Sequence, residues 1–111
     1  MTETLDPEDD KIITLARSAR ARGGTPEGAA VRDETGRTYA ATTVTLPSLR
    51  LSALQVAVAM AVSSGAKSLE AAALVSEADD PAEQDLSAVE DMGNATLFLV
   101  GPDGALKGRY I

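Results

Sequence analysis

The run from Leu49 to Gly65, LRLSALQVAVAMAVSSG, constrains this chain more than any other, because as a helix it would be apolar on nearly every face. Val56, Val58, Met60 and Val62 alternate with alanines as in a strand, yet the length of the run and its terminal glycine favour a helix after Pro47. A helix apolar all round is expected to be buried from several sides, between layers or against another subunit. Its uncharged part, Leu51 to Ala66, is too short for a bilayer and is interrupted by Gln55, Ser63 and Ser64. A membrane-spanning role is therefore not expected.

Around this run the chain alternates between helical and extended signals. Asp6-Pro7-Glu8-Asp9 offers an N-cap acid, a proline at the first helical position and acids that suit the helix dipole. Ile12, Leu15, Ala16 and Ala19 follow as one apolar face, and Gly23-Gly24 stop the helix. Gly28–Arg32 and Thr38–Val44 read as strands of a hairpin turning at Asp33-Glu34-Thr35-Gly36. Leu69–Ser76 is helical by propensity, but its place between a glycine stop and a new cap favours a buried strand. Asp80-Pro81-Ala82-Glu83 repeats the first capping pattern and opens a third helix reaching Met92. Leu97–Val100 and Ala105–Ile111 form a closing hairpin about Gly101-Pro102-Asp103-Gly104. The expected order is α-β-β-α-β-α-β-β, a layered α/β domain over residues 11–111 preceded by an acidic lead-in, residues 1–10.

Composition removes whole classes of chemistry. The 111 residues include no histidine and no cysteine, so thiol nucleophiles, disulfides and Cys/His zinc sites are excluded, and a reducing cytoplasm is the expected compartment. A net charge of −7 and three aromatic residues, Tyr39, Phe98 and Tyr110, argue against nucleic-acid partners.

The pattern resembles the small cytidine deaminases, most clearly at the central helix. Ala61-Val62-Ser63-Ser64-Gly65 matches the A-V-S-x-G ending of the family's helix, and Ser52-Ala53-Leu54 stands where that helix opens with C-A-E. The family's P-C-x-x-C falls on Pro81-Ala82-Glu83-Gln84-Asp85, and its substrate-binding N-x-E falls near Thr43-Val44-Thr45. The resemblance implies a three-layer cytidine deaminase-like fold with a mixed five-stranded sheet flanked by helices, and a homo-oligomer, dimer or tetramer. It also places three zinc ligands at Ser52, Ala82 and Asp85, the proton-shuttling glutamate at Leu54, and substrate contacts at Thr43 and Thr45. Zinc deaminases need thiolate or imidazole ligands and a glutamate that moves protons. None of the residues present has that chemistry, so the expectation is a catalytically inactive relative, without metal or cofactor, that keeps these six positions as vestiges and serves in binding, scaffolding or regulation.

Two further readings stand beside this one. An enzyme with a site outside Cys/His chemistry would use a carboxylate-bound metal near Asp79 to Asp85 or act as a metal-free hydrolase; the acids Glu77, Asp79, Asp80, Glu83, Asp85, Glu90 and Asp91, which could attract a divalent cation or a basic partner, otherwise read as a solvated, capped helix. A protein-binding module would use the basic side of the first helix, Lys11, Arg17, Arg20 and Arg22, which dipole complementarity explains equally well. The S-x-x-K string at Ser64–Lys67 lies at a helix end rather than a helix start, and reads as a stop turn.

Overall fold

A computed structural model describes residues 5–111; the first four residues of the acidic lead-in lie outside the described part. Helix α1 (Pro7–Gly23) opens as expected, with the Asp6 carboxylate accepting from the Glu8 amide and Pro7 in the first turn. The last four residues assigned to the lead-in are therefore its first turn. It closes at Gly24, whose φ of 60° is left-handed and whose amide donates to Arg20 O.

Strands β1 (Gly28–Asp33), β2 (Thr38–Thr42), β5 (Leu69–Val75), β6 (Thr96–Val100) and β7 (Leu106–Tyr110) form one mixed sheet in the order β2-β1-β5-β6-β7. Strands β5 and β6 are parallel, and the other neighbours are antiparallel. The ambiguous LEAAALV segment is thus the central strand: flanked by a strand on each side and buried on both faces, it follows its surroundings and not its alanine propensity.

Side-chain alternation divides the sheet into two cores. Ala30, Ala71, Ala73, Val75, Phe98 and Val100 face α1 and meet Ile12, Ile13 and Ala16. Ala29, Val31, Ala72, Leu74, Leu97 and Leu99 face helix α2 (Ala53–Ser63) and helix α3 (Glu83–Glu90), meeting Leu54, Ala57, Ala61 and Val89. Helices on both faces make the three layers. Gly28 allows α1 to sit directly on β1, since a Cβ there would lie 2.2 Å from Ala16 O.

The structure departs from the sequence expectation in three places. Leu49–Leu51 is strand β4, paired with β3 (Val44–Leu46) in a separate small hairpin, so the apolar run becomes helical only at Ala53. Ser52 and Gln55 stop the strand by forming a capping box: Ser52 Oγ accepts from the Gln55 amide at 3.1 Å, and Gln55 Oε1 accepts from the Ser52 amide at 3.0 Å. Helix α3 begins at Glu83 with Ala82 as N-cap and no side-chain cap, because the Asp80 carboxylate lies toward the Tyr110 hydroxyl, 3.5 Å away. Helix α2 buries Ala53, Leu54, Ala57 and Ala61 against the sheet but leaves Met60 and Val62 about half exposed.

Candidate functional site

The amino termini of α2 and α3 converge at one end of the sheet, and the residues that carry polar chemistry there are Ser52 and Asp85. Ser52 is the α2 N-cap; Asp85 lies in the first turn of α3, its amide donating to Ala82 O at 3.0 Å. Ser52 Oγ donates to Asp85 Oδ1 at 2.5 Å, across 33 positions of sequence. One hydroxyl thereby satisfies a helix amide and a buried carboxylate together.

Asp85 is 1% exposed. Burial pushes its carboxyl above the ordinary range, and the Ser52 hydrogen bond only partly opposes this. Beside the pair opens a cavity of about 480 Å³, lined in part by Thr43, Thr45, Arg50, Ser52, Gln55 and Gln84. Thr43 Oγ1 is buried without a hydrogen-bond partner among the described residues, an arrangement that costs about 1–3 kcal/mol unless something supplies the bond. Ser76, Glu77 and Ala78, the segment after β5, also line the cavity. Lys107 on β7 holds that segment in place: its ammonium donates to the carbonyl oxygens of Ser76, Glu77 and Ala78 at 3.2, 3.1 and 3.0 Å.

The six positions singled out in the sequence have different fates. Thr43, Thr45 and Ser52 line the cavity, and Asp85 is hydrogen-bonded to Ser52. Leu54 has no exposure and packs in the sheet-facing core, while Ala82 lies exposed at the start of α3. Gln55, Gln84 and Arg50 also line the cavity, outside the positions that the sequence singles out. Gln55 has a detectable signal: Ser52-Ala53-Leu54-Gln55 is an S-x-x-Q capping signature. Arg50 and Gln84 have no comparable local signal.

A hydroxyl, a methyl group and one carboxylate do not form a zinc site, which takes sulfur, imidazole nitrogen or several carboxylates. The donor set thus does not fit zinc. Among the described residues no three His, Cys, Asp or Glu side chains gather where they could hold an ion. Glu77, Asp79, Asp80, Glu83, Glu90 and Asp91 are exposed around α3, and only Asp85 turns inward. Ser64 ends α2, its amide donating to Met60 and Ala61 carbonyls, in keeping with the stop-turn reading of Ser64–Lys67. No helix among the described residues is long and apolar enough to cross a membrane.

Comparison with known proteins points in one direction. A family model described as cytidine deaminase-like matches residues 5–104. Among solved structures, a cytidine deaminase from Burkholderia pseudomallei superimposes with a TM-score of 0.78 at 20% identity, covering 90% of this chain and 89% of that one. The cytidine deaminase from Mycobacterium leprae gives a TM-score of 0.68 at 22% identity, with 89% and 92% of the two chains covered. A point mutant of the cytidine deaminase from Mycobacterium tuberculosis gives 0.68 at 23% identity, with 85% of each chain covered. Curated protein sequences contain no match.

Proposed function

The chain belongs to the cytidine deaminase-like family, and we propose that within it this protein is a catalytically silent member that binds a small polar ligand or a partner in place of turning over a nucleobase. The observation that carries this reading is the Ser52–Asp85 hydrogen bond. Two of the three positions mapped to metal ligands meet in space, as such a site requires, but they bond to each other. The third, Ala82, has no donor, and Leu54, mapped to the proton-shuttling acid, is an aliphatic core residue. Hydrolytic deamination needs an activated water and a group that protonates the base. Ser52, Ala82 and Asp85 are not a ligand set that would activate a water on zinc, and Leu54 has no acid to offer. Burial holds the Asp85 carboxyl toward its neutral form, and its partner is a capping serine.

The cavity survives beside the altered centre. Its unpartnered Thr43 hydroxyl, the Gln55 and Gln84 amides and the Arg50 cation suit recognition without chemistry. Exposed Met60 and Val62 on α2, with Leu46 and Leu49 on the small hairpin, favour a homo-oligomer as the working form. A cytoplasmic location accords with the cysteine-free composition.

Purified protein supplied with zinc is expected to release no ammonia from cytidine or deoxycytidine in a coupled assay. Turnover that rises with bound zinc would overturn the silent-enzyme reading. Native mass spectrometry of the same preparation is expected to show a dimer or tetramer, and a monomer at micromolar concentration would remove the oligomer.

A further inference from the structure

Two cavities open at the carboxyl ends of the parallel strands β5 and β6, one on each side of the sheet. Ser76, just past β5, lines the cavity described above. Its neighbour Val75, on the opposite face, lines a second cavity of about 320 Å³ with Pro102, beyond β6, and Thr14, Arg17, Ser18 and Arg20 of α1. In open α/β sheets, ligands sit in crevices beyond the carboxyl ends of strands, where the connecting segments part.

The charges on this second cavity are of one sign. Its lining contains two arginines and no carboxylate, in a chain of net charge −7. Arg32 contrasts with them, being paired with Asp9 at 3.0 Å and Glu70 at 2.9 Å. Arg20 donates Nε to Pro26 O at 2.9 Å, an anchor that leaves its two terminal nitrogens unbonded among the described residues. Arg17 forms no hydrogen bond or ion pair with any described residue. Its guanidinium instead lies against the turn between β6 and β7, where a Cβ added to Gly104 would come within 2.9 Å of Arg17 Cζ and Nη1. Helix-dipole complementarity accounts for Arg20 and Arg22 in the last turn of α1, but Arg17 lies before that turn. Thr14 Oγ1 already donates to Asp10 O, whereas the Ser18 hydroxyl has no such bond among the described residues.

We propose that this cavity is a binding site for a small phosphate-bearing ligand, its oxygens taken by the Arg17 and Arg20 guanidinium groups with the Ser18 hydroxyl as a further donor. The planar fork of arginine matches phosphate oxygens two at a time, and a partner-free fork beside a carboxylate-free cavity is the arrangement such an anion requires. This site lies on the α1 side of the sheet and does not rest on the deaminase-like reading of the other side.

The test is a titration of the full chain with inorganic phosphate, at ionic strength held constant with chloride, followed by NMR at the arginine Nε–H groups and the backbone amides of residues 14–21 and 101–104. Saturable shifts confined to those groups are expected, with the apparent Kd raised roughly tenfold by Arg17→Gln, the loss of about one charge-assisted hydrogen bond, and partly recovered by Arg17→Lys. Arg17 is chosen over Arg20 because it anchors no backbone carbonyl. Shifts that never saturate, that are equal at Arg37 and Arg50, or that persist unchanged in Arg17→Gln would overturn the site. With saturation established, tighter binding of a sugar phosphate assigns the site to a phosphomonoester, and equal binding assigns it to the free ion; both support the proposal.

Discussion

Asp33 and Asp85 are the two buried carboxylates among the described residues, at 2% and 1% exposure, and their surroundings drive them in opposite directions. Asp33 closes the β1–β2 hairpin. Its Oδ1 accepts from the Thr35 hydroxyl at 2.7 Å, the Thr35 amide at 2.9 Å and the Arg37 amide at 3.0 Å, and its Oδ2 accepts from the Tyr39 hydroxyl at 3.0 Å. These bonds, led by that of the Thr35 hydroxyl, hold its carboxyl below the ordinary range despite burial. Asp85 has a single side-chain donor, Ser52, and burial raises it. Near-equal solvent exposure therefore does not mean equal electrostatics: Asp33 lies shallow with four donors and Asp85 lies deeper with one, so depth and donors together decide whether the charged form is tolerated. The hairpin aspartate is a finished structural device, whereas Asp85 sits in a centre with fewer polar partners than its charge requires.

The largest effect is expected from Asp33→Ala, which strips four donors of their acceptor and should lower the melting temperature on the order of 10 °C by calorimetry. A melting temperature within a degree or two of the parent would mean that water replaces the carboxylate there, and the contrast with Asp85 would collapse. Ser52→Ala should cost roughly 1–2 kcal/mol in urea unfolding, the usual loss for an N-cap. It should also raise the Asp85 carboxyl further, because the one hydrogen bond opposing desolvation disappears; a carboxyl resonance titrating at lower pH in this variant would contradict that assignment.

Asp85→Asn is expected to change stability least, within about 1 kcal/mol at neutral pH, since it replaces a carboxylate disfavoured by burial with a neutral isostere. Its signature lies in the pH profile. The raised Asp85 contributes stability that is present below the ordinary carboxylate value of about 3.9 and lost as pH rises through its folded value. The lowered Asp33 contributes in the opposite sense, with stability present above that ordinary value and lost as pH falls through its folded value. Urea unfolding across acidic to neutral pH should therefore show Asp85→Asn removing the decline on the upper side and leaving the acid limb intact. A variant that flattens the acid limb instead would exchange the roles of the two residues.

Much of the architecture is legible locally. The Asp6-Pro7 cap, the Gly24 stop, the Asp33–Gly36 turn and the two-residue period of the strands are all interactions between positions a few residues apart. The same holds for the Ser52–Gln55 capping box, although the apolar run around it masks its pattern. The small β3–β4 hairpin is hidden for a related reason: Leu49-Arg50-Leu51 reads as the beginning of the helix until its pairing partner, Val44–Leu46, is known. Likewise, the pattern of α2 promises burial from several sides, but the single chain fully buries only the Ala53, Leu54, Ala57 and Ala61 stripe and leaves Met60 and Val62 exposed.

The sequence alone determined what chemistry is out of reach, since an absent histidine or cysteine cannot be supplied by folding, and it determined the elements whose signals are short-range. Only the tertiary structure decided that Ser52 and Asp85 meet, that Asp85 lacks the donors Asp33 enjoys, and that Arg17 lies beside a cavity at the end of β5 without a partner among the described residues. The physical reason is that desolvation and hydrogen bonding across distant segments depend on what the sheet and its two helical layers bring together, and no local pattern along the chain encodes that sum.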